Sequence, residues 1–119
     1  MEHYYSNNPS SKSEERIIEY EIAEIKLSFI SDNGVFSKNH VDFATNLLLN
    51  AVIKDEVQGD VLDVGCGYGV IGITLAKLFD VNVTMLDINE RAISLAKRNA
   101  EKNRVEKINV IVIPFFVPA

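Results

Sequence analysis

Apolar side chains occupy every second position of residues 18–22, and again of residues 25–29, with charged or hydroxyl residues between them. This period-two alternation is typical of half-buried strands. The sequence Asp32-Asn33-Gly34 then marks a turn. The pattern therefore predicts a β-hairpin that ends in this turn.

A helical spacing replaces the alternation near residue 40. Ser37 or Asn39 is positioned to cap the start of this helix. Residues Lys54 to Asp60 then form a charged link. The predicted helix has one apolar face, which consists of Val41, Ala44, Leu47, Leu48, Ala51 and Val52.

Residues 61–113 alternate between short apolar runs and amphipathic stretches. The pattern predicts strands at 61–64, about 81–86 and 108–113, with helices at about 70–79 and 90–102, the second capped by Asp87 or Asn89. A βαβαβ unit implies an α/β fold with a parallel sheet. Right-handed crossovers place the strands in the order three, two, one, with both helices on one face.

Length and composition limit the possible location and partners of the protein. A length of 119 residues predicts one domain, and a net charge of −5 argues against a uniformly basic surface that coats nucleic acid. No apolar run reaches the roughly 18 residues that span a bilayer. The single cysteine excludes an internal disulfide, and no Cys or His lies at metal-ligand spacing from either histidine. We therefore expect a cytoplasmic protein with no membrane partner, no DNA partner and no bound metal.

Residues 61–69 read VLDVGCGYG, so a predicted strand runs directly into a glycine-rich loop. Such a loop lets the backbone approach a ligand closely, and the following helix start presents free N–H groups. Two interpretations fit the spacing. Gly67-x-Gly69-x-x-Gly72, with Asp87 twenty residues beyond Gly67, matches a dinucleotide fingerprint. Gly65-x-Gly67-x-Gly69 matches the spacing used for S-adenosylmethionine (SAM).

Three features favour SAM. The first dinucleotide glycine would be Gly67, two residues later than a fingerprint that opens directly from the strand. Asp63 would repel a pyrophosphate but attract the ammonium group of a methionine moiety. About sixty residues also precede the unit, whereas a dinucleotide domain often begins with its strand. An NAD-binding oxidoreductase domain and a non-enzymatic nucleotide-binding fragment remain the alternatives.

Several stretches resemble one known family. Residues 61–69 look like motif I of class I SAM-dependent methyltransferases, and residues 87–100 look like the motif at the end of their second strand. Residues 34–42 and 3–9 resemble the small-domain subfamily that methylates guanine N2 in small-subunit ribosomal RNA, the ribosomal RNA small subunit methyltransferase C type. The resemblance implies a partial Rossmann-like methyltransferase fold. Its predicted parts are an N-terminal arm, hairpin and helix (1–60), a SAM-binding half (61–113) and a tail outside the family pattern (114–119).

The resemblance also implies roles for single residues. Asp63 and the loop backbone would hold the methionine end of SAM, Asp87 would accept both ribose hydroxyls, and Ile88 would pack on the adenine. Phe36 and Ser37 would lie over the cofactor. Cys66, near a predicted helix start that would lower its thiol pKa, is interpreted as a small filler. The cofactor-binding set is Asp63, Gly65, Cys66, Gly67, Gly69, Asp87, Ile88, Phe36 and Ser37, and no catalytic residue is assigned.

One family motif is missing. The family's Asn-Pro-Pro motif, which holds the target amino group, does not occur here, and Pro114-Phe115 stands where the family tends to have a polar residue. We therefore expect a truncated cofactor-binding half that is inactive alone, with ribosomal RNA or the small ribosomal subunit as the ancestral partner. Residues 97–107 hold five basic and two acidic side chains, which would either contact phosphates or form a solvated face. The oligomeric state is left open.

Overall fold

A computed structural model of the chain describes residues 13–33 and 40–114. These ranges contain a two-stranded antiparallel sheet and a three-stranded parallel sheet. The elements in chain order are β1 (Arg16–Ile22), β2 (Ile25–Ser31), α1 (Phe43–Ile53), β3 (Gly59–Val64), α2 (Val70–Leu78), β4 (Val81–Asp87), α3 (Glu90–Lys102) and β5 (Ile108–Val112).

The predicted β-hairpin is confirmed. Strands β1 and β2 pair in antiparallel register, with Ile22 opposite Ile25. Ala23 and Glu24 form the two-residue turn, and both have positive φ angles. This is the backbone geometry that matches the right-handed twist of the two strands, although glycine and asparagine are the residues usually found there.

The predicted βαβαβ unit and its strand order are also confirmed. Parallel strands lie in the order β3-β4-β5, with Met85 of β4 between Asp63 of β3 and Val110 of β5. Helices α2 and α3 cover one face of this sheet, where Val83 and Met85 of β4 are buried. On the opposite face, the side chains of Leu62 and Val64 in β3 are exposed, Leu62 to 62%.

Helix α1 differs from its prediction in two respects. Its N-cap is Asp42, whose carboxylate accepts a hydrogen bond from the Thr45 N–H at 3.4 Å, so the expected Ser37 or Asn39 cap is wrong. Leu47 of the predicted apolar face is 60% exposed, whereas Leu49 is 1% exposed and faces the core. Three successive leucines cover much of the helix circumference, and the sequence pattern therefore does not define a single buried face.

Two asparagines at the end of α3, Asn99 in its last turn and the C-cap residue Asn103, hold the hairpin against the rest of the fold. Asn103 accepts a hydrogen bond from the Ser28 N–H (3.0 Å) and donates one to the Ser28 carbonyl (2.8 Å). One turn earlier, Asn99 makes the same pair of bonds with Ile30, at 2.7 and 3.0 Å. These side-chain amides pair with the free edge of β2 as a neighbouring strand would, which satisfies backbone groups that are costly to bury unpaired.

Within the described ranges, no helix is long and apolar enough to cross a membrane. The same part of the chain contains no group of three or more His, Cys, Asp or Glu side chains that could hold a metal ion.

Candidate cofactor-binding site

The glycine loop lies across the carboxyl ends of β3 and β4. The backbone N–H groups of Gly65 and Cys66 both donate to the Leu86 carbonyl, at 2.8 and 2.9 Å. Gly65, Gly67 and Gly69 all have positive φ angles, of 73°, 58° and 105°. The loop backbone therefore adopts a conformation that residues other than glycine rarely adopt. It lies at the carboxyl ends of the strands, where α/β folds bind ligands.

The structure brings Asp87 directly against this loop. One carboxylate oxygen of Asp87 accepts a hydrogen bond from the Gly67 N–H at 2.9 Å, and the other accepts from the Asn89 N–H at 2.9 Å. A carboxylate offers about four acceptor positions, so each oxygen retains capacity for a further donor. Asp87 can therefore hold the loop and accept a pair of hydroxyl groups at the same time.

Asp63 lies deeper, under the first turn of α2. It is 8% exposed, and its carboxylate accepts a hydrogen bond from the Gly72 N–H at 3.1 Å. Burial raises the pKa of Asp63 above its ordinary value, the hydrogen bond from Gly72 opposes that rise, and the charge of Asp87 adds to it. Asp63 and Asp87, two acids of the predicted set, therefore lie close enough together for the charge of Asp87 to act on Asp63.

Cys66 does not have the electrostatics expected from its place before a helix. Burial raises the pKa of its thiol to about 12, and the charges of Asp63 and Asp87 contribute in the same direction. The expected lowering of this pKa is therefore wrong, because removal from water outweighs any stabilisation of the thiolate by the helix start. Its Sγ lies 3.5 Å from the Gly67 carbonyl oxygen, in keeping with a filler inside the loop.

A buried anchor of the loop was not predicted from the sequence. The Tyr68 carbonyl accepts a hydrogen bond from the Asn99 side chain at 2.8 Å, and the Tyr68 ring packs edge-on against Phe29 with centroids 6.0 Å apart. The available signal was the pair Asn99 and Asn103, two amides one helical turn apart beside the apolar face of α3. A buried amide needs partners, and here the partners are the loop and the hairpin.

Space beside the loop differs from one glycine to the next. A Cβ atom built on Gly65 or Gly67 would meet nothing within 4 Å, whereas one on Gly69 would lie 2.7 Å from Ile73 Cδ1. Ile88 follows Asp87 directly after the carboxyl end of β4 and is half-buried. Phe36 and Ser37 lie outside the described residues. The arrangement offers an open surface at Gly65 and Gly67, an acceptor pair at Asp87 and a buried negative charge at Asp63.

The sequence and the fold are similar to those of methyltransferases. The family model for the methyltransferase small domain matches residues 26–115. The uncharacterized protein YbxB of Bacillus subtilis is 46% identical over 110 residues, which are 92% of this chain and 55% of YbxB. Ribosomal RNA small subunit methyltransferase C of Mannheimia succiniciproducens is 49% identical over 74 residues, which are 60% of this chain and 22% of that protein.

Two solved structures share the fold. The T. thermophilus 16S rRNA N2 G1207 methyltransferase (RsmC), in complex with AdoMet and guanosine, superposes with a TM-score of 0.75 and 25% identity, over 88% of this chain and 28% of that one. The Pyrococcus abyssi tRNA (uracil-54, C5)-methyltransferase, in complex with S-adenosyl-L-homocysteine, gives a TM-score of 0.63 and 28% identity, over 82% and 24%.

The chain spans about half the length of YbxB and about a fifth of the matched ribosomal RNA methyltransferase. The family model nevertheless matches most of the chain, including the hairpin strand β2, the glycine loop and β5. This match confirms the resemblance that the motifs predicted: the chain belongs to the methyltransferase small-domain family.

Proposed function

We propose that the chain binds SAM at the glycine loop and serves as the cofactor-binding part of a ribosomal RNA methyltransferase. The observation that carries this proposal is the hydrogen bond between the Gly67 N–H and the Asp87 carboxylate, at 2.9 Å. It joins the two family motifs into one surface, with open space at Gly67 beside a carboxylate that has acceptor capacity left. A ribose seated on Asp87 would extend its 5′ substituent along the loop.

Within this proposal, the two ends of the cofactor meet different residues. The methionine end lies along the backbone of Gly65 to Gly69, including Cys66, and the charge of Asp63 attracts its ammonium group. The ribose hydroxyls bond to Asp87 and the adenine packs on Ile88. Phe36 and Ser37 stay predictions for the covering side of the site. Residues 61–113 are then the SAM-binding half, and the division from an N-terminal part at residues 1–60 stays a prediction.

We propose guanine N2 of small-subunit ribosomal RNA as the methyl acceptor of the complete enzyme. Support comes from the relatives named ribosomal RNA small subunit methyltransferase C and from the solved N2 G1207 methyltransferase with guanosine. The basic stretch at 97–107 gives little support. Arg98 is bonded to Glu15 and Lys107 to Asp80, so two of its five positive charges already have acidic partners.

We also propose that the 119-residue chain binds the cofactor without transferring its methyl group. No strand in the described ranges pairs with the outer edge of β3, and Leu62 and Val64 on the uncovered sheet face are both exposed. A parallel sheet is usually covered on both faces. Methyl transfer requires an acceptor held close and in line, and residues 13–33 and 40–114 provide no wall on this side of the site to hold it.

Titration calorimetry with SAM, S-adenosylhomocysteine and NAD tests the cofactor proposal. We expect binding of the first two ligands and no heat from NAD. Asp87→Asn should weaken SAM binding by roughly 10- to 100-fold, because hydrogen bonds to a charged acceptor are lost. Asp55→Asn, an exposed acid after α1, is the matched charge control and should bind as the wild type does. Tight NAD binding without a SAM response would overturn the proposal.

Activity is tested separately with radiolabelled SAM and small ribosomal subunits. The chain should bind SAM and transfer no label above a no-protein control. Robust turnover would contradict the proposed inactivity while leaving the cofactor site intact.

A further inference from the structure

The side chain of Asn99 links helix α3 to the hairpin strand β2 and to the glycine loop. It lies in the last turn of α3 and has no exposed surface. Its amide oxygen accepts from the Ile30 N–H, and its amide nitrogen donates both to the Ile30 carbonyl and to the Tyr68 carbonyl. Both amide hydrogens are used, so the side chain has a single orientation in which all its partners are satisfied.

The bond to Tyr68 fixes one peptide unit of the glycine loop. The Tyr68 carbonyl and the Gly69 N–H belong to the same planar peptide group. Asn99 holds the carbonyl at 2.8 Å, and the Cys66 carbonyl accepts from the Gly69 N–H at 3.1 Å. Gly69, with φ of 105°, could adopt many other conformations, so these two bonds determine which way the peptide faces.

Asn103, the C-cap residue of α3 four positions later, provides an internal comparison. It is also buried, at 7% exposure, and it makes the equivalent pair of bonds to Ser28 of the same strand. Its third bond goes to the Asn99 backbone carbonyl at 2.8 Å, not to the glycine loop. The two asparagines therefore attach the hairpin in the same manner, and only Asn99 reaches the loop.

We propose that Asn99 is a positioning residue for the cofactor site. Its side chain sets the Tyr68–Gly69 peptide in the orientation that the methionine end of the cofactor meets, and it ties that orientation to the seating of β2. This inference rests on the proposed function of the loop. The adenosine end is held elsewhere, at Asp87, so loss of the Asn99 amide should affect the two ends of the cofactor unequally.

Paired variants separate positioning from stability. Asn99→Ser and Asn103→Ser each remove a buried amide that attaches β2, and both should lower the melting temperature. Dissociation constants are measured for S-adenosylhomocysteine and for adenosine, well below each melting temperature. Asn99→Ser should weaken S-adenosylhomocysteine by about tenfold relative to adenosine. Asn103→Ser should leave the ratio of the two constants as in the wild type.

Hydrogen exchange gives a second readout that does not need a ligand. Peptides covering β2 should exchange faster in both variants, whereas residues 65–69 should exchange faster only in Asn99→Ser. Equal affinity ratios in the two variants, or equal loop exchange, would overturn the inference.

Two further outcomes are decisive. If the wild type binds neither ligand, the proposed function fails, and loop exchange still tests the Asn99 contact. If Asn99→Ser does not fold, the free wild-type protein is measured alone. Its Gly69 amide should already be protected without ligand, because Asn99 holds the peptide in the orientation that bonds this N–H to the Cys66 carbonyl. Unprotected exchange there, which S-adenosylhomocysteine then suppresses, would contradict the inference.

Discussion

Alanine substitutions at three glycines should separate the stability of the loop from its affinity for the cofactor. Gly59, Gly67 and Gly69 all have positive φ angles, but their surroundings differ. A Cβ atom at Gly59 or Gly67 meets nothing within 4 Å. At Gly69 it would lie 2.7 Å from Ile73 Cδ1, in a side chain with no exposed surface.

These contacts determine the expected losses of folding free energy. Gly59→Ala and Gly67→Ala introduce only the strain of a left-handed conformation, about 1–2 kcal/mol. Gly69→Ala has φ of 105°, outside the left-handed helical region, and also overpacks Ile73. Together the backbone strain and the overpacking amount to about 2–6 kcal/mol. For a domain of this size, 1 kcal/mol corresponds to roughly 4 °C in melting temperature.

Cofactor affinity should follow a different order. Gly67 is the residue whose N–H bonds to Asp87, and its open side is where the cofactor approaches in our proposal. Gly67→Ala should therefore reduce S-adenosylhomocysteine affinity at least about tenfold, equivalent to 1.4 kcal/mol. Gly59→Ala, at the start of β3 and at the opposite end of that strand from the loop, is the matched strain control and should bind normally.

Urea denaturation and calorimetric titration measure the two properties on the same samples. Equal affinity of the Gly59 and Gly67 variants would refute the assignment of the open space to the cofactor. If Gly69→Ala proved as stable as Gly67→Ala, the close approach of Ile73 Cδ1 to a Cβ atom at position 69 would be wrong.

Three further predictions follow from the electrostatics. Burial makes ionisation of Asp63 less favourable in the folded state than in the unfolded chain, so the wild type should lose stability as pH rises from about 4, near the ordinary Asp pKa, through the raised folded pKa. The melting temperature of Asp63→Asn minus that of the wild type should increase across this pH range, and a constant difference would argue against the burial. With a thiol pKa of about 12, Cys66 should react with iodoacetamide at pH 8 far more slowly than in urea; equal rates would contradict its description. Arg98→Ala breaks an exposed pair with Glu15 and should cost less than about 1 kcal/mol by denaturant titration, so a larger loss would show that the pair is buried.

The sequence predicted those parts of the fold whose signals are local. Period-two alternation marked the hairpin, and the alternation of strands with helical stretches marked the parallel sheet. Helix α1 was harder to orient, because residues 47–49 are all leucine and only tertiary packing decides that Leu49 faces inward. A short-range pattern does not contain this information.

Prediction of the site was limited in the same way. Glycine spacing and two acids indicated the loop, and the structure places Asp87 against it. The effect of burial on Cys66 could not be read from its distance to a helix start in the sequence. The Asn99 contact joins residues 31 positions apart, and it becomes visible only when the fold brings the hairpin and the loop to the same side chain of α3.

The central claim is that the cofactor lies along the glycine loop beside Asp87. A ¹⁵N–¹H NMR titration with S-adenosylhomocysteine tests it most directly, because glycine amides resonate in a distinct region. The account predicts saturable shifts of Gly65, Gly67 and Gly69 with one dissociation constant, while Gly59 remains unchanged. Saturable shifts confined to residues away from this loop, or no shifts at a ligand concentration of several millimolar, would contradict it.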